Sequence, residues 1–159
     1  MTLGQSINTC FRKYFVFSGR ATRSEFWWFM LFVNIIVSIP VSIVSEDLNS
    51  LWLTATFIPS LAVGSRRLHD TNRTGWWQAV PFVSVLPLWY FVYDLGQTGG
   101  ADFGADLMNH SLFFLIPLCL GVMLIALILL IVWWASRGID GPNRFGDDPT
   151  GATDTSVFD

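Results

Sequence analysis

Charged residues are scarce in this 159-residue sequence, making up 13% of it, while hydrophobic residues make up 52% and the mean hydropathy is +0.50. Soluble domains carry about 25% charged residues, so this composition excludes an ordinary soluble protein and indicates a membrane protein. The start of the chain lacks the basic stretch, apolar core and small-residue cleavage site of a signal peptide, so we expect it to remain in the mature protein. The net charge of −3 would argue against nucleic acid as a partner, but in a membrane protein the side on which the charges lie matters more than their sum.

The common signatures of catalysis and cofactor binding are also missing. There is no phosphate-binding loop, no HExxH or CxxC zinc motif and no serine nucleophile elbow. Cys10 lies in a basic segment and Cys119 in an apolar run, so a disulfide between them is not expected. We therefore predict no enzyme activity, no cofactor and no metal.

What the sequence does contain is four long apolar runs, at about residues 26–45, 51–68, 76–93 and 112–135. A helix rises about 1.5 Å per residue and the hydrocarbon core is about 30 Å thick, so each run can form a membrane span. The predicted fold class is an all-α membrane protein, a four-helix transmembrane bundle forming a single membrane domain over residues 1–139. Prolines in the runs, such as Pro40 and Pro59, predict kinks or local opening. Residues 140–159 are rich in Gly, Asp, Thr and Pro, which predicts a mostly disordered cytoplasmic tail.

An amphipathic N-terminal helix is predicted over residues 2–16. Its apolar residues recur every four positions, at Leu3, Ile7, Phe11 and Phe15. Basic residues beside this stripe favour an interfacial helix in the headgroup layer, although the same pattern suits packing against a partner protein. Further on, Thr22 and Glu25 have the spacing of a helix capping box directly before the first span.

The positive residues predict the topology. All nine lie in three segments: before the first span, between the second and third, and after the fourth. The loops at 46–50 and 94–111 have none, so the positive-inside rule puts both termini and the central turn in the cytoplasm. Tryptophan pairs at 27–28, 76–77 and 133–134 agree, because tryptophan is enriched at membrane interfaces.

Polar residues at this cytoplasmic face form what we call the charged collar. Arginine guanidinium groups bind carboxylates or phosphates in a bidentate way, so the collar predicts a site for anionic phospholipid headgroups or for an acidic segment of a partner. The alternative is that these charges only orient the chain in the membrane and form ordinary salt bridges with Glu25, Asp70 and Asp140. The members of the collar are Arg20, Arg23, Glu25, Arg66, Arg67, His69, Asp70, Arg73, Arg137, Asn143 and Arg144.

Two further hypotheses assign other chemistry to the polar residues. His69 and Asp70 could act as a general base with an orienting carboxylate in a lipid-acting enzyme, but adjacent residues on a turn usually point apart. In the outer loop, Asp102, Asp106 and His110 recur every four residues and could bind a divalent ion. Acidic residues near a helix start are favoured by the helix dipole in any case, so we assign no metal there.

Three stretches of the sequence carry a resemblance: YFVFSGRATRSEFWWF at 14–29, IPSLAVGSRRLHDTNRTGWW at 58–77 and GPNRFGDDP at 141–149. In this order they resemble the DUF805 (domain of unknown function 805) family of YhaH-like proteins. The resemblance implies a small multi-pass protein of the bacterial inner membrane and brings no established activity. The loop at 94–111 departs from the short turn expected of the family.

Together these observations predict an inner-membrane scaffold module that interacts with lipid or with another membrane protein through its cytoplasmic collar. The alternative is a subunit of a small oligomeric channel or transporter. Four short kinked helices can scarcely enclose a polar path alone, so that alternative requires a homo-oligomer. The small residues Thr56, Ser60 and Gly64, spaced four apart, could support such self-association.

Overall fold

A computed structural model describes residues 1–98 and 112–151 of the chain. Within these ranges the regular structure is helical, apart from one isolated bridge between Asn143 and Gly146. The chain divides into two compact units. The first holds Met1–Gly75 together with the described residues from Trp133 onward, and the second holds Trp76–Val132.

The first unit begins with helix α1 (Leu3–Arg12), which ends four residues earlier than the predicted helix over 2–16. A capping box between Thr2 and Gln5 starts the helix, and the amide of Lys13 bonds back to Thr9 O where it ends. On the face of α1 that packs inward, Ser6 and Cys10 are fully buried. The neighbouring apolar residues Leu3, Ile7 and Phe11 are partly exposed.

Helix α1 packs along the next helix, α2 (Arg23–Leu31). The Ser6 hydroxyl donates to Glu25 O at 2.6 Å, and the rings of Phe11 and Phe29 meet edge to face at 5.6 Å. Because these contacts advance in the same direction along both helices, α1 runs parallel to α2. The side of α1 that carries Ser6 and Cys10 is therefore covered by the protein itself.

The predicted first span is one helical run that changes its hydrogen bonding in the middle. A π-helical segment, Phe32–Val37, follows α2 and leads into α3 (Ser38–Val44). Pro40 lacks the amide that would bond to Ile36 O, and a wider turn before a proline relieves the clash with that carbonyl. The predicted local opening is therefore confirmed in this span. The Val33 carbonyl also accepts a bond from the Trp52 indole at 3.1 Å.

Helix α4 (Glu46–Asp70) starts earlier than predicted and is the longest described helix. Residues 46–50, predicted to be a turn, form its first turns. Ser45 caps it by accepting from the Leu48 amide, and the acidic side chains of Glu46 and Asp47 suit the positive end of the helix dipole. Pro59 lies inside the helix.

A tight turn follows α4, as predicted. The amides of Asn72 and Arg73 bond back to His69 O and Leu68 O, each at 2.9 Å. Asn72 has a φ of 59°, a left-handed conformation that asparagine tolerates better than most residues. The chain then passes Gly75, where an added Cβ would lie 1.6 Å from Ser65 Oγ.

The core of the first unit lies between α1, α2 and α4. Phe26, Phe29 and Val33 of the first span are buried there with Cys10 and Val63. Trp134 packs on this cluster, its ring 4.8 Å from that of Phe26, and its indole donates to Gly64 O at 3.2 Å. The small residue at position 64 thus allows a tryptophan to approach the α4 backbone closely.

The second unit is built on two helices. A 3₁₀ turn, Gly75–Gln78, leads from the first unit into α5 (Ala79–Thr98), and α6 (Leu112–Ala135) returns to the first unit at Trp133. Two described helical runs are long and apolar enough to cross a membrane: Arg23–Val44, with mean hydropathy 2.1, and Ile116–Ala135, with 2.9. The all-helical fold class is confirmed for the described residues, and the predicted spans overlap α2 to α3, α4, α5 and α6.

We predict that Gly75→Ala lowers the thermal unfolding temperature in detergent. Its Cβ would overlap Ser65 Oγ and lie 2.9 Å from Ser65 Cβ, and overpacking of this kind costs about 1–3 kcal/mol. Gly4→Ala is the matched control, because a Cβ at that helical position meets nothing within 4 Å. Equal melting temperatures for both variants would contradict the close approach at Gly75.

Candidate functional site

Asp70 lies at the centre of a buried group of charges at the end of α4. Its carboxylate accepts from Arg20 at 2.9 Å and from Arg67, and the three side chains are at most 6% exposed. Arg67 lies three residues before Asp70 on the same helix, whereas Arg20 comes from the segment before α2. The predicted pairing of Asp70 with arginine is therefore confirmed, and it joins two distant parts of the chain.

A second buried ion pair lies one turn away. Arg66 donates to Glu25 Oε1 at 2.6 Å, with both side chains at most 5% exposed. Thr22 Oγ accepts from the Glu25 amide at 3.1 Å, so half of the predicted capping box is present. In place of the reciprocal bond from the Thr22 amide, the Glu25 carboxylate accepts from Arg66, and a bond from a charged donor is stronger. We call Arg20, Glu25, Arg66, Arg67 and Asp70 the ionic cluster.

Cys10 lies against the ionic cluster, with its sulfur 3.9 Å from Glu25 Oε1. Burial raises the pKa of the Cys10 thiol to about 12, and the negative charge of Glu25 acts in the same direction. The thiol is therefore protonated and unreactive near neutral pH. Cys10 and Cys119 are both free.

Backbone carbonyls of the C-terminal segment complete the cluster. Arg20 donates to Ile139 O and to Gly141 O, each at 2.5 Å, while Arg67 donates to Trp134 O at 3.0 Å and to Ser136 O. In return, the Ile139 amide donates to Asp70 O at 3.0 Å. Gly138 passes so close that an added Cβ would lie 2.0 Å from Asp70 Oδ2.

The segment after α6 is consequently held in place, so the prediction of a mostly disordered tail is wrong for residues 140–151. Asn143 and Gly146 bridge each other through backbone bonds, and Asn143 Nδ2 donates to His69 O at 2.9 Å. Asp148 accepts from Thr150 and from the Gly141 amide, bonds that hold the pKa of its carboxyl at about 2. The composition argument failed here because the ordering contacts are long-range. The rest of the predicted tail, 152–159, lies outside the described residues.

His69 and Asp70 do not form the acid–base pair of the enzyme hypothesis. The His69 ring stacks on Phe145 at 4.0 Å between centroids, and its Nδ1 lies 3.0 Å from Gly19 O. The Asp70 carboxylate is bound by Arg20 and Arg67 instead, so this geometry gives the enzyme hypothesis no support.

The remaining arginines of the charged collar lie nearer the surface. Arg73 stacks over the Trp133 ring at 4.6 Å, and Arg144 donates to Asn72 O at 3.0 Å. Arg137 forms an exposed pair with Asp140 at 3.2 Å. Arg23 is exposed and has no carboxylate partner among the described residues. The collar thus separates into a buried cluster and a set of surface arginines.

This separation changes the expected role of Arg67. The sequence suggested that Arg20, Arg66 and Arg67 could bind lipid headgroups directly, but each is at most 6% exposed. Their charges instead connect the three stretches of sequence that carry the family resemblance. The first stretch supplies Arg20 and Glu25, the second Arg66, Arg67 and Asp70, and the third the carbonyl of Gly141.

Sequence reasoning missed the roles of Gly138 and Phe145. For Phe145 the available signal was the GPNRFGDDP stretch around it, whose Gly, Pro, Asn and Asp residues indicate a turn. Within the described ranges, no group of three or more His, Cys, Asp or Glu side chains is arranged to hold a metal ion. Asp102, Asp106 and His110, the outer-loop residues considered for a divalent ion, lie outside those ranges.

Comparison with known proteins gives a consistent set of relatives. A family model described as "Protein of unknown function (DUF805)" matches residues 14–147. The inner membrane protein YhaI of Escherichia coli K12 is 40% identical over 105 residues, covering 60% of this chain and 88% of its own. The inner membrane protein YhaH of the same strain is 34% identical over 109 residues, covering 60% of this chain and 89% of its own. No solved structure matches.

We predict that Asp70→Asn strongly lowers the thermal unfolding temperature in detergent. The change leaves Arg20 and Arg67 buried without their shared carboxylate, and breaking a buried pair costs about 3–5 kcal/mol. Asp140→Asn is the control, because it removes the same charge from a pair that is more than 75% exposed and contributes about 1 kcal/mol or less. If both variants melt alike, Asp70 does not hold the cluster together.

Proposed function

Because the chain belongs to the DUF805 family of proteins of unknown function, we propose a role from its own geometry. It is a scaffold module of the bacterial inner membrane, with four spans and both termini in the cytoplasm. Its ionic cluster fixes three chain segments at one membrane face, and the surface arginines there bind anionic phospholipid headgroups. The proposed spans are α2 with its continuation through α3, followed by α4, α5 and α6.

The membrane location is supported by the relatives and by the helices. YhaI and YhaH are both named inner membrane proteins. Among the described residues, the runs Arg23–Val44 and Ile116–Ala135 have the length and hydropathy of membrane spans. Their surfaces are largely apolar, with Ile39 and Ile43 of the first run and Ile131 of the second all more than 50% exposed in the isolated chain. Lipid would cover these side chains.

One observation carries the topology: residues before the first span, after the second and after the fourth are in direct contact. Arg20 bonds to Asp70 and to Gly141, which supports a common membrane face for these three positions in the proposed topology. The chain must then cross an even number of times between Arg20 and Asp70. It must also cross an even number of times between Asp70 and Gly141. Two crossings in each interval give the four spans that the apolar runs predict.

The orientation follows from the charges of the same segments. All nine basic residues belong to the segments that meet at this face, and the positive-inside rule assigns such a face to the cytoplasm. Surface arginines next to an anionic leaflet contribute about 1 kcal/mol each to lipid binding. Arg23, Arg73, Arg137 and Arg144 are at least partly exposed and can contribute in this way.

The topology predicts one-sided labelling of single cysteines. In a background without Cys10 and Cys119, a cysteine at Asn49 or Gly99 reacts with an impermeant maleimide from the periplasmic side only. A cysteine at Ser156 reacts only after the cytoplasmic side is opened. Labelling at Gly99 from the cytoplasm, in a variant that melts like the parent, would overturn the four-span model.

The lipid role predicts selective retention of anionic lipid. Purified protein incubated with equal amounts of phosphatidylglycerol and phosphatidylcholine should retain the anionic lipid preferentially in native mass spectrometry. The preference should weaken with rising salt, because exposed charges are screened. Equal retention of both lipids at low salt would show that this face does not recognise anionic headgroups.

A further inference from the structure

A cavity of about 240 Å³ opens beside the start of α2, next to the ionic cluster. Its walls come from the three segments that the cluster joins: the start of α2, the end of α4 and the chain after α6. The charged groups that line it are four arginines and three aspartates. They are Arg20, Arg23, Arg67, Arg137, Asp70, Asp140 and Asp148.

The three aspartates already have donors. Asp70 is bound by two buried arginines, Asp140 by Arg137, and Asp148 by Thr150 and the Gly141 amide. Arg23 has no such carboxylate partner among the described residues, so the surplus positive charge of the cavity lies at its guanidinium. A cavity with surplus positive charge selects an anion.

We propose that this cavity binds one phosphate-bearing anion between Arg23 and Arg137. This inference rests on the proposed function and assigns one phosphate group to a defined site on the proposed lipid-binding surface. Arg20 and Arg67 form the inner wall, where their guanidinium groups are fixed by Asp70 and by backbone carbonyls. Arg23 and Arg137 stand at the opening with exposed side chains that can close on a ligand.

Two features favour phosphate over a carboxylate of a larger molecule. The cavity is smaller than the roughly 300–1,000 Å³ of typical organic-ligand sites, which suits a single tetrahedral headgroup. The guanidinium fork also donates to two phosphate oxygens at once, and two such forks can share one phosphate. The start of α2 adds the positive end of a helix dipole on the same side.

Binding would require Arg137 to leave Asp140. That pair is about three-quarters exposed, and exposed pairs are weak, so the exchange costs little. Arg23 needs no such exchange. The loss of Arg23 should therefore weaken binding more than the loss of any other surface arginine.

The experiment compares Arg23→Ala and Arg23→Lys with Arg12→Ala in nanodiscs. Arg12 is exposed on α1, so its removal lowers the net charge equally without touching the cavity. We expect Arg23→Ala to weaken the retention of one phosphatidylglycerol by about tenfold, Arg23→Lys to weaken it less, and Arg12→Ala to leave it within about twofold. All variants should melt like the parent, because Arg23 and Arg12 are not buried. Arg137→Ala serves as the second cavity variant.

Two arms separate the sources of the phosphate. Protein in phosphatidylcholine nanodiscs is titrated with inorganic phosphate against chloride at equal ionic strength, and protein in mixed phosphatidylglycerol nanodiscs is analysed for retained lipid. If phosphate stabilises the protein in the first arm in a saturable way that depends on Arg23, this supports a free phosphate ligand. If only the retention of lipid in the second arm depends on Arg23, this supports a lipid. Equal effects of Arg23→Ala and Arg12→Ala in both arms would overturn the site while leaving general lipid attraction intact. If the parent itself prefers no anionic lipid, the proposed function fails.

Discussion

The fold of the first unit depends on the burial of three guanidinium groups with only two carboxylates. Arg20, Arg66 and Arg67 are buried, and the partners of opposite charge are Glu25 and Asp70. A buried charge without partners is very costly, so the excess must be met by other acceptors. Backbone carbonyls of residues 134–141 meet it, and this requirement explains why the segment after α6 is ordered.

The same constraint explains the small residues around the cluster. Gly138 allows the chain to pass against the Asp70 carboxylate, and Ala21 is fully buried with its amide bonded to Arg66 O at 3.0 Å. Larger side chains at these positions would move the backbone carbonyls away from the arginines that donate to them. Arg66 retains two buried nitrogens, Nε and Nη2, without a hydrogen-bond partner within the described part of the chain. Arg66 thus keeps unused hydrogen-bond donors, although its charge is paired with Glu25.

Much of this arrangement could be predicted from the sequence because local rules apply to it. The approximate positions of the helices follow from the apolar runs, the Thr22 cap from its spacing, and the pairing of Asp70 from its arginine-rich surroundings. The exceptions are long-range. The pairing of Glu25 with Arg66 and the order of residues 140–151 both depend on partners more than a dozen residues away. Sequence patterns could place the arginines at one face but could not divide them into buried and exposed.

That division decides what the arginines can do. A guanidinium bound to a carboxylate and two carbonyls, as in Arg20, has used most of its five donors and mainly fixes the backbone around it. An exposed guanidinium such as that of Arg23 keeps its donors for a ligand. Because the buried arginines hold three segments together, the surface arginines are presented on a rigid support, and preorganised groups bind with less loss of entropy. In the proposed role, scaffold and binding surface are thus two consequences of one excess of positive charge at the start of α2 and the end of α4.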